Sequence, residues 1–440
     1  MTTTVFSSSV TSDGTDAIFT YAASGDSLIV NAGVTLSSQG YVVFGAAPDD
    51  GVGLDDLHAS IGGTLAGLGA FYAFGSSVEL TVGSTGRLEA VASAVEASYD
   101  SSVSNHGVIH SSEGLGVYMD NVTDATVENW GSIYGDYLGV ALYDPASVGS
   151  ATIVNHGTIE SRRFSAIDTG LGTTLLTNDG TILANKEAVH INSFDGLAPN
   201  TATIHNSGSI TSARNYGIFA HSTTVEITNE GTIAGRKGSI YLPSSGADTV
   251  TNAGHLDGRA VLGGGGDVYH GENGWVTGAV WGQAGNDLLV GGASADVLSG
   301  GSGSDTVTGG AGADTLTGAT GADIVSGGAG DDVFRFAATG DATGDTIVAT
   351  GGALAFAGAG AAGGDRIAVS AIDADLASAG HQPFAFGTSH DVGHLWAVDI
   401  GDVTHIRGNV AGDTTAEFDL AVNDGAGVHA SDYAGVDFIL

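Results

Sequence analysis

The sequence of 440 residues contains no cysteine, five prolines, and only 11 Lys and Arg against 49 Asp and Glu. The absence of cysteine excludes disulfide bonds and thiolate metal sites. The shortage of basic residues leaves a net charge of -38, which disfavours binding to nucleic acid or to an anionic membrane. No apolar run is long enough to span a bilayer. The first residues carry neither a basic nor an apolar stretch, so we expect no Sec signal peptide.

Glycine is abundant, with 73 residues, and it recurs at regular intervals in one stretch. From Gly282 to Arg335 the chain repeats a nonapeptide six times: G-G-x-G-x-D, then any residue, an apolar residue and any residue. Glycines permit turns that bring backbone carbonyl groups close together. Carbonyl and carboxylate oxygens are the ligands of calcium, which takes about six to eight of them. The stretch therefore predicts several calcium sites.

The nine-residue step also predicts the arrangement of these sites. Two nonapeptides make one coil, so we expect Asp287, Asp305 and Asp323 at one edge. The aspartates of the alternate copies then lie at the other edge. A degenerate copy from Leu262 to Tyr269 adds one more aspartate. The predicted calcium-binding residues are Asp267, Gly282, Asp287, Gly291, Asp296, Gly300, Asp305, Gly309, Asp314, Gly318, Asp323, Gly327 and Asp332.

This repeat resembles the RTX (repeats-in-toxin) family, whose parallel β-roll binds several Ca²⁺ ions. The chain that follows, to Val436-Asp437-Phe438-Ile439-Leu440, is similar to the C-terminal module of serralysin-type secreted proteins. The resemblance covers 282–440 and implies a β-rich cap, an ABC-type (type I) exporter as partner, and a secreted location outside a Gram-negative cell. The Ala/Gly-rich stretch 351–364 departs from the family pattern, and its role is open.

A longer repeat lies upstream. The phrase N-x-G-x-[IL] begins at Asn105, Asn129, Asn155, Asn178, Asn206, Asn229 and Asn252. An aliphatic residue precedes each Asn by two positions, and another follows the Ile by seven or eight. Three short strands per rung of about 23 residues are typical of a parallel β-helix, in which the Asn side chains can form a ladder. A β-sandwich with accidental spacing is the alternative.

Together the two repeats predict an all-β chain. We expect a right-handed parallel β-helix over 1–261, which continues into a calcium-binding parallel β-roll over 262–335. A C-terminal β-rich cap and type I secretion region follows over 336–440. No helical period of 3.6 residues competes with this interpretation.

Catalytic motifs are scarce. There is no H-E-x-x-H and no G-x-S-x-G, which argues against a zinc protease or a lipase. The Asp-Pro-His-Glu motif of alginate epimerases, which combine a β-helix with an RTX module, is also missing. Asp168 and His190, neighbours in an outward column, are the acid/base candidates for a lyase or epimerase. We expect that column to be a solvated or partner-contacting face and the protein not to be an enzyme.

The basic residues are concentrated on one predicted corner. Seven of the 11 lie three or four residues after the Ile or Leu of their rung: Arg162, Arg163, Lys186, Arg214, Arg236, Lys237 and Arg259. This basic stripe predicts an acidic partner, either an anionic cell-surface or matrix polysaccharide or the acidic roll of a second copy. The alternative is that exposed turns merely tolerate charge.

RTX chains without a catalytic domain resemble the S-layer and biofilm-matrix proteins of Gram-negative bacteria. We therefore predict a secreted calcium-binding structural protein that self-assembles into an extracellular filament, S-layer or biofilm matrix, with calcium driving folding and assembly. An adhesin or acidic-polysaccharide-binding module is the alternative, and a β-helix polysaccharide lyase or epimerase is a further one.

Overall fold

The computed structural model describes residues 2–13, 17–23, 25–44, 57–73, 77–146, 148–192, 200–349, 354–359, 363–377, 380–411, 415–423 and 428–440. Within them the chain is all-β apart from three short 3-10 turns. It forms two compact units, Met1–Leu242 and Pro243–Leu440. The division into three domains at 261 and 335 stays a prediction. Part of the Ala/Gly-rich stretch 351–364 lies outside the described residues. No helix in the described ranges has the length and apolarity to cross a membrane.

The first unit is a parallel β-helix in which each of ten described rungs adds one strand to three sheets. Sheet 1 contains Thr3–Phe6, Ser27–Val30, Leu57–Ile61, Val78–Val82, Ser102–Asn105, Asp124–Asn129, Ser150–Asn155, Thr173–Asn178, Thr201–Asn206 and Thr224–Asn229. Sheet 2 contains Val10–Thr11, Thr35–Ser37, Thr64–Gly67, Arg87–Ala90, Val108–Ser111, Ser132–Gly135, Thr158–Ser161, Thr181–Ala184, Ser209–Ser212 and Thr232–Gly235. Sheet 3 contains Phe19–Thr20, Tyr41–Phe44, Gly69–Tyr72, Val95–Ser98, Leu115–Asp120, Leu138–Tyr143, Ile167–Gly170, Val189–Asn192, Tyr216–His221 and Gly238–Tyr241.

Register is kept from rung to rung because each strand pairs in parallel with the same strand of the next rung. In sheet 1, Val127 pairs with Ile153, and Ile153 pairs with Leu176. These side chains alternate with outward ones, as the two-residue period of a strand requires, and they are fully buried. Parallel pairing between successive turns confirms the predicted β-helix and excludes the β-sandwich.

The asparagines that begin each N-x-G phrase form a buried ladder at the end of sheet 1. From Asn105 to Asn229, each Nδ2 donates to the Oδ1 of the next asparagine over 2.7–2.8 Å. Each amide carries both donor and acceptor, so the column satisfies itself without a further ligand. Asn252, the seventh phrase, lies in the second unit, where its Nδ2 donates to the Trp275 carbonyl.

The second unit begins with two turns of three strands each, and its later coils have two strands each. The three-stranded turns are Thr249–Asn252, His255–Asp257, Ala260–Gly264 and Val268–His270, Trp275–Val276, Ala279–Ala284. Each later coil of the roll has two strands: Leu288–Val290, Val297–Ser302, Thr306–Ala311, Thr315–Thr320, Ile324–Ala329 and Val333–Arg335. One apolar side chain per nonapeptide, from Leu289 to Phe334, fills the space between the two faces and is buried. This confirms the predicted β-roll.

A cap closes the far end of the roll. It contains Thr346–Val348, Arg366–Ala368, Ala385–Phe386, Phe438–Ile439 and an antiparallel meander of His394–Ile400, Val403–Asn409 and Phe418–Asn423, with 3-10 turns at Thr339–Ala342, Ala430–Asp432 and Gly435–Asp437. Aromatic rings continue the core beyond the last repeat. Phe356 stacks on Phe334, and Phe418 meets Phe336 edge to face. Burying these large rings shields the apolar end of the roll from water.

Removing one asparagine from the ladder should destabilise the β-helix. Asn155→Ala deletes the donor to Asn178 and leaves the buried Asn129 amide without its acceptor, so we expect a loss of about 1–3 kcal/mol. Native-state hydrogen exchange of strands Ser150–Asn155 and Thr173–Asn178 measures this loss. Thr152→Ala, an outward residue of the same strand, is the control and should change exchange little. Equal effects of the two substitutions would contradict a structural role for the ladder.

Candidate calcium centre

The aspartates of the nonapeptides stand in two columns, one at each edge of the roll. In column 1, the backbone N–H of each aspartate donates to Oδ1 of the aspartate one coil later, at 2.8 Å each, through Asp267, Asp287, Asp305 and Asp323. Column 2 repeats this arrangement at 2.8–2.9 Å through Asp296, Asp314 and Asp332. The structure thus places the predicted aspartates at alternate edges.

The second oxygen of most of these carboxylates has no donor. Oδ2 is buried without a hydrogen-bond partner in the described residues at Asp267, Asp287, Asp305, Asp314, Asp323 and Asp332. A buried carboxylate oxygen without a donor or a counter-charge is costly. A divalent cation supplies that charge, so the residues present fit a calcium ion.

The carboxylates cannot complete a calcium site by themselves. In the described ranges no three His, Asp or Glu side chains are placed to hold a metal ion together. The remaining oxygens of a calcium shell must therefore include turn carbonyls. Glycine lets the carbonyls of successive turns approach each other closely. A Cβ on Gly303, which has φ +130°, would lie 1.8 Å from the carbonyl oxygen of Gly285 in the preceding coil, so no larger residue fits there.

The first glycine of each nonapeptide makes room for the aspartate of the same copy. A Cβ on Gly300 would lie 2.2 Å from Oδ2 of Asp305, and one on Gly309 would lie 2.2 Å from Oδ2 of Asp314. The predicted pairing of glycine and aspartate within each copy is therefore a packing requirement. A Cβ at Gly282, Gly318 or Gly327 would likewise lie 2.2–2.3 Å from Oδ2 of the aspartate in the same copy. At Gly291 the distance to Oδ2 of Asp296 would be 2.7 Å.

Burial raises the pKa of these carboxyls. It raises the pKa of Asp267 to about 7, with the Asp287 charge adding to the effect. It raises the pKa of Asp305 and Asp314 to about 6, with their column neighbours again contributing. Without a cation, part of the roll therefore holds protons near neutral pH.

The columns extend beyond the residues that the sequence pattern singles out. The N–H of Asp248 donates to Oδ1 of Asp267 at the start of column 1. At the far ends, Asp323 donates to Asp345 and Asp332 donates to Asp365. The nine-residue step misses all three. The shared sequence G-D-x-I at Gly344 and Gly364 is the signal that could have found the last two.

Asp168 and His190 are brought together on the outward side of sheet 3. His190 Nδ1 lies 3.0 Å from Asp168 Oδ2, and the His190 ring centroid is 5.2 Å from that of Phe219. The two residues are register partners in adjacent strands, as expected for one column. Both side chains are partly exposed.

The basic stripe is partly neutralised from within. Arg162 and Arg163 both contact the carboxylate of the fully buried Asp136, at 3.3 and 2.8 Å, and Lys186 lies 3.6 Å from Glu187. Among the described residues, by contrast, no ion pair engages the exposed Arg214, Arg236 and Lys237. Arg259 lies in the second unit, with its guanidinium 5.2 Å from the ring centroid of Trp281.

Comparison with known proteins supports the calcium assignment. The RTX calcium-binding nonapeptide repeat, in four copies, matches residues 281–316 and 308–337, and such repeats bind calcium. Among solved structures, the AlgE6R3 subunit of the Azotobacter vinelandii mannuronan C5-epimerase is similar at 28% identity, over 35% of this chain and 77% of that chain, with a TM-score of 0.25. A search of curated proteins found no match.

A methyl group at Gly300 should disrupt one calcium site. Because the Cβ of Gly300→Ala would overlap Oδ2 of Asp305, we expect about fivefold to hundredfold weaker binding at that site, from about 1–3 kcal/mol of overpacking. Isothermal titration with calcium measures the change. Gly340→Ala is the matched control, because its Cβ would meet no atom within 4 Å. Unchanged binding in Gly300→Ala would contradict the proposed geometry.

Acidification should stabilise the calcium-free roll. The folded carboxyls with pKa values of about 6 and 7 hold protons that an unfolded chain, with values near 3.8, releases. The free energy of unfolding should therefore fall as pH rises from about 4 to about 7. Urea denaturation in chelator, followed by tryptophan fluorescence, measures this slope, because Trp275, Trp281 and Trp396 lie in the second unit. Saturating calcium should reverse the slope, because protons compete for the same oxygens. A calcium-free slope that rises with pH would contradict this prediction.

Proposed function

We propose that this chain, whose residues 281–337 match the RTX calcium-binding nonapeptide repeat, is a secreted structural protein that self-assembles outside a Gram-negative cell. The proposed product is an extracellular filament, S-layer or biofilm matrix, and calcium drives both folding and assembly. The observation that carries the proposal is a group of exposed cations on the first unit, Arg214, Arg236 and Lys237, in a chain of net charge -38. These three residues of the basic stripe are called the cationic corner.

Calcium-dependent folding supports a secreted role. Most carboxylates of the two columns bury an Oδ2 atom that has no donor in the described residues, so the roll is disfavoured where calcium is scarce, as in the cytosol. An unfolded chain can be threaded through an exporter of the ABC (type I) class. Extracellular calcium modules fill at about 10⁻⁴–10⁻³ M, and the binding free energy then becomes folding free energy.

The cationic corner supports self-assembly. Arg214, Arg236 and Lys237 lie at turns of adjacent rungs, and the backbone N–H of Lys237 donates to the Asn215 carbonyl of the rung below. The three charges thus lie in two successive turns, in a chain whose net charge is -38. A second copy of the chain therefore offers a complementary acidic surface. Contacts between different faces of identical copies generate filaments or sheets when the rotation between copies does not close a ring.

An adhesin or acidic-polysaccharide-binding module is the second candidate. It is favoured by the same corner three and two rungs before that of Arg214, where exposed Tyr137 and Phe164 stack with ring centroids 5.5 Å apart. Arg163 lies 5.0 Å from the Tyr137 centroid, and Lys186 lies 5.9 Å from that of Phe164. Cations beside aromatic rings suit an anionic cell-surface or matrix glycan.

Our proposal assigns no catalytic role. Any lyase or epimerase chemistry in this chain would use Asp168 and His190, whose hydrogen bond places a carboxylate beside an imidazole on an open face. Asp168→Asn and His190→Ala should then leave assembly unchanged. Breakdown of uronate polymers by the wild-type chain, lost in these variants, would replace the structural proposal with an enzymatic one.

Calcium should switch assembly on and chelator should switch it off. Negative-stain electron microscopy of the full chain should show ordered filaments or sheets at millimolar calcium and none in chelator. Replacing Arg214, Arg236 and Lys237 together by Gln should weaken assembly, because these cations make no ion pair within the described chain. Dispersed particles of the wild-type protein in both conditions would overturn the proposal.

Arg87→Gln is the matched control, because it removes an exposed cation of the first unit that already pairs with Glu89. It should assemble as the wild type does. If the triple variant assembles normally but loses retention on an acidic-polysaccharide affinity gel, the corner binds glycan rather than a second copy. Normal assembly and normal retention together would remove the corner from both functions.

A further inference from the structure

Column 1 does not end with the last nonapeptide. The N–H of Asp323 donates to Oδ1 of Asp345 at 2.8 Å, the same distance as from Asp305 to Asp323. The step is 22 residues instead of 18. The 3-10 turn Thr339–Ala342 has four residues, which is the length of the difference. Asp345 therefore occupies the position of the next repeat aspartate although no nonapeptide surrounds it.

The backbone at Asp345 also keeps the geometry of the roll. Thr346 pairs with Ile324 in parallel, as Ile324 pairs with Thr306 one coil earlier. The N–H of Thr346 donates to the Asp323 carbonyl at 2.8 Å, and the N–H of Ile324 donates to the Asp305 carbonyl at 2.9 Å. The turn of Asp323 therefore faces the turn of Asp345 as it faces that of Asp305.

The last aspartates of the two columns differ in their second oxygen. Oδ2 of Asp345 is buried and has no hydrogen-bond partner in the described chain, and the residue is 2% exposed. Oδ2 of Asp365, at the end of column 2, accepts the Ala357 N–H at 2.6 Å. A backbone donor thus satisfies one terminal carboxylate and leaves the other in need of a cation.

We propose that Asp345 is a calcium ligand, completing a site with the turn that ends at Asp323, and that Asp365 is not. The site lies outside the matched repeats, which end at residue 337. Its second carboxylate is that of Asp323, whose own Oδ2 also lacks a partner among the described residues. Carbonyl oxygens of the two turns complete the shell. The inference rests on calcium binding by the roll and not on self-assembly.

This site couples calcium to the cap. Strand Thr346–Val348, which follows Asp345, pairs with Ile324 and Val325 of the roll on one side. On the other side it pairs with Ala421 to Asn423 of the antiparallel meander. An ion that fixes the Asp345 turn against the Asp323 turn therefore also fixes the strand to which the meander is bonded. The meander should become ordered only as this site fills.

The test is Asp345→Asn in the full-length chain, with Asp365→Asn as the matched control. Asparagine keeps Oδ1 to accept the preceding N–H but removes the negative charge at the second position. Calcium stoichiometry is measured by equilibrium dialysis and by isothermal titration. We expect Asp345→Asn to bind one ion fewer per chain and Asp365→Asn to bind the wild-type number. Equal stoichiometry in Asp345→Asn and the wild type would overturn the proposal, as would loss of an ion in Asp365→Asn alone.

Hydrogen exchange of the wild-type chain provides a second measurement that does not depend on how the variants fold. Strands Thr346–Val348 and Phe418–Asn423 should become protected as calcium is added, together with Ile324–Ala329. Full protection of the meander in chelator would overturn the coupling. In Asp345→Asn, protection of Phe418–Asn423 should require several-fold more calcium, while the roll strand Thr306–Ala311 keeps its wild-type midpoint.

Discussion

The structure of the second unit depends on the cost of burying carboxylates. Six aspartates of the roll, all but Asp296, accept one backbone N–H from the preceding coil through Oδ1, and this bond helps set the spacing between coils. The same bond places Oδ2 in a buried position where, for most of them, no donor within the described chain reaches it. A proton or a divalent cation can relieve that cost, and the raised pKa values follow from the same burial. A calcium ion bound at these oxygens would therefore contribute to the folding free energy of this unit.

The two repeats use similar columns with opposite consequences. Both place a short polar side chain at a strand end and stack it on its equivalent in the next turn. Asparagine carries a donor and an acceptor, so Asn129 bonds Asn155 and the ladder is complete. Aspartate carries acceptors alone, so its column takes backbone donors and retains a free oxygen. Replacing an amide NH₂ by an oxygen thus separates a ladder that satisfies its own hydrogen bonds from a column whose buried oxygens fit a cation.

Charge links these energetics to the proposed function. A chain with net charge -38 repels itself until cations reduce that charge. Calcium neutralises the buried carboxylates of the roll, while the exposed Arg214, Arg236 and Lys237 present positive charge on the first unit. In the proposed function, folding and association would respond to the same ion, which suits a protein proposed to stay unassembled inside the cell and to act outside it.

Periodicity alone determined the coils, the inward apolar columns, the Asn ladder and the alternation of aspartates between two edges, because register along a solenoid depends on spacing within the chain. Spacing could not show which carboxylates retain a free oxygen. Oδ2 of Asp296 accepts the Gly292 N–H, whereas that of Asp314, in an almost identical copy, has no donor in the described residues. Nor could it show that Asp345 continues a column across a four-residue insertion, or that Arg162 and Arg163 reach the buried Asp136. These features depend on which backbone donors and charged side chains lie next to each carboxylate in the folded chain, and tertiary structure alone decides that.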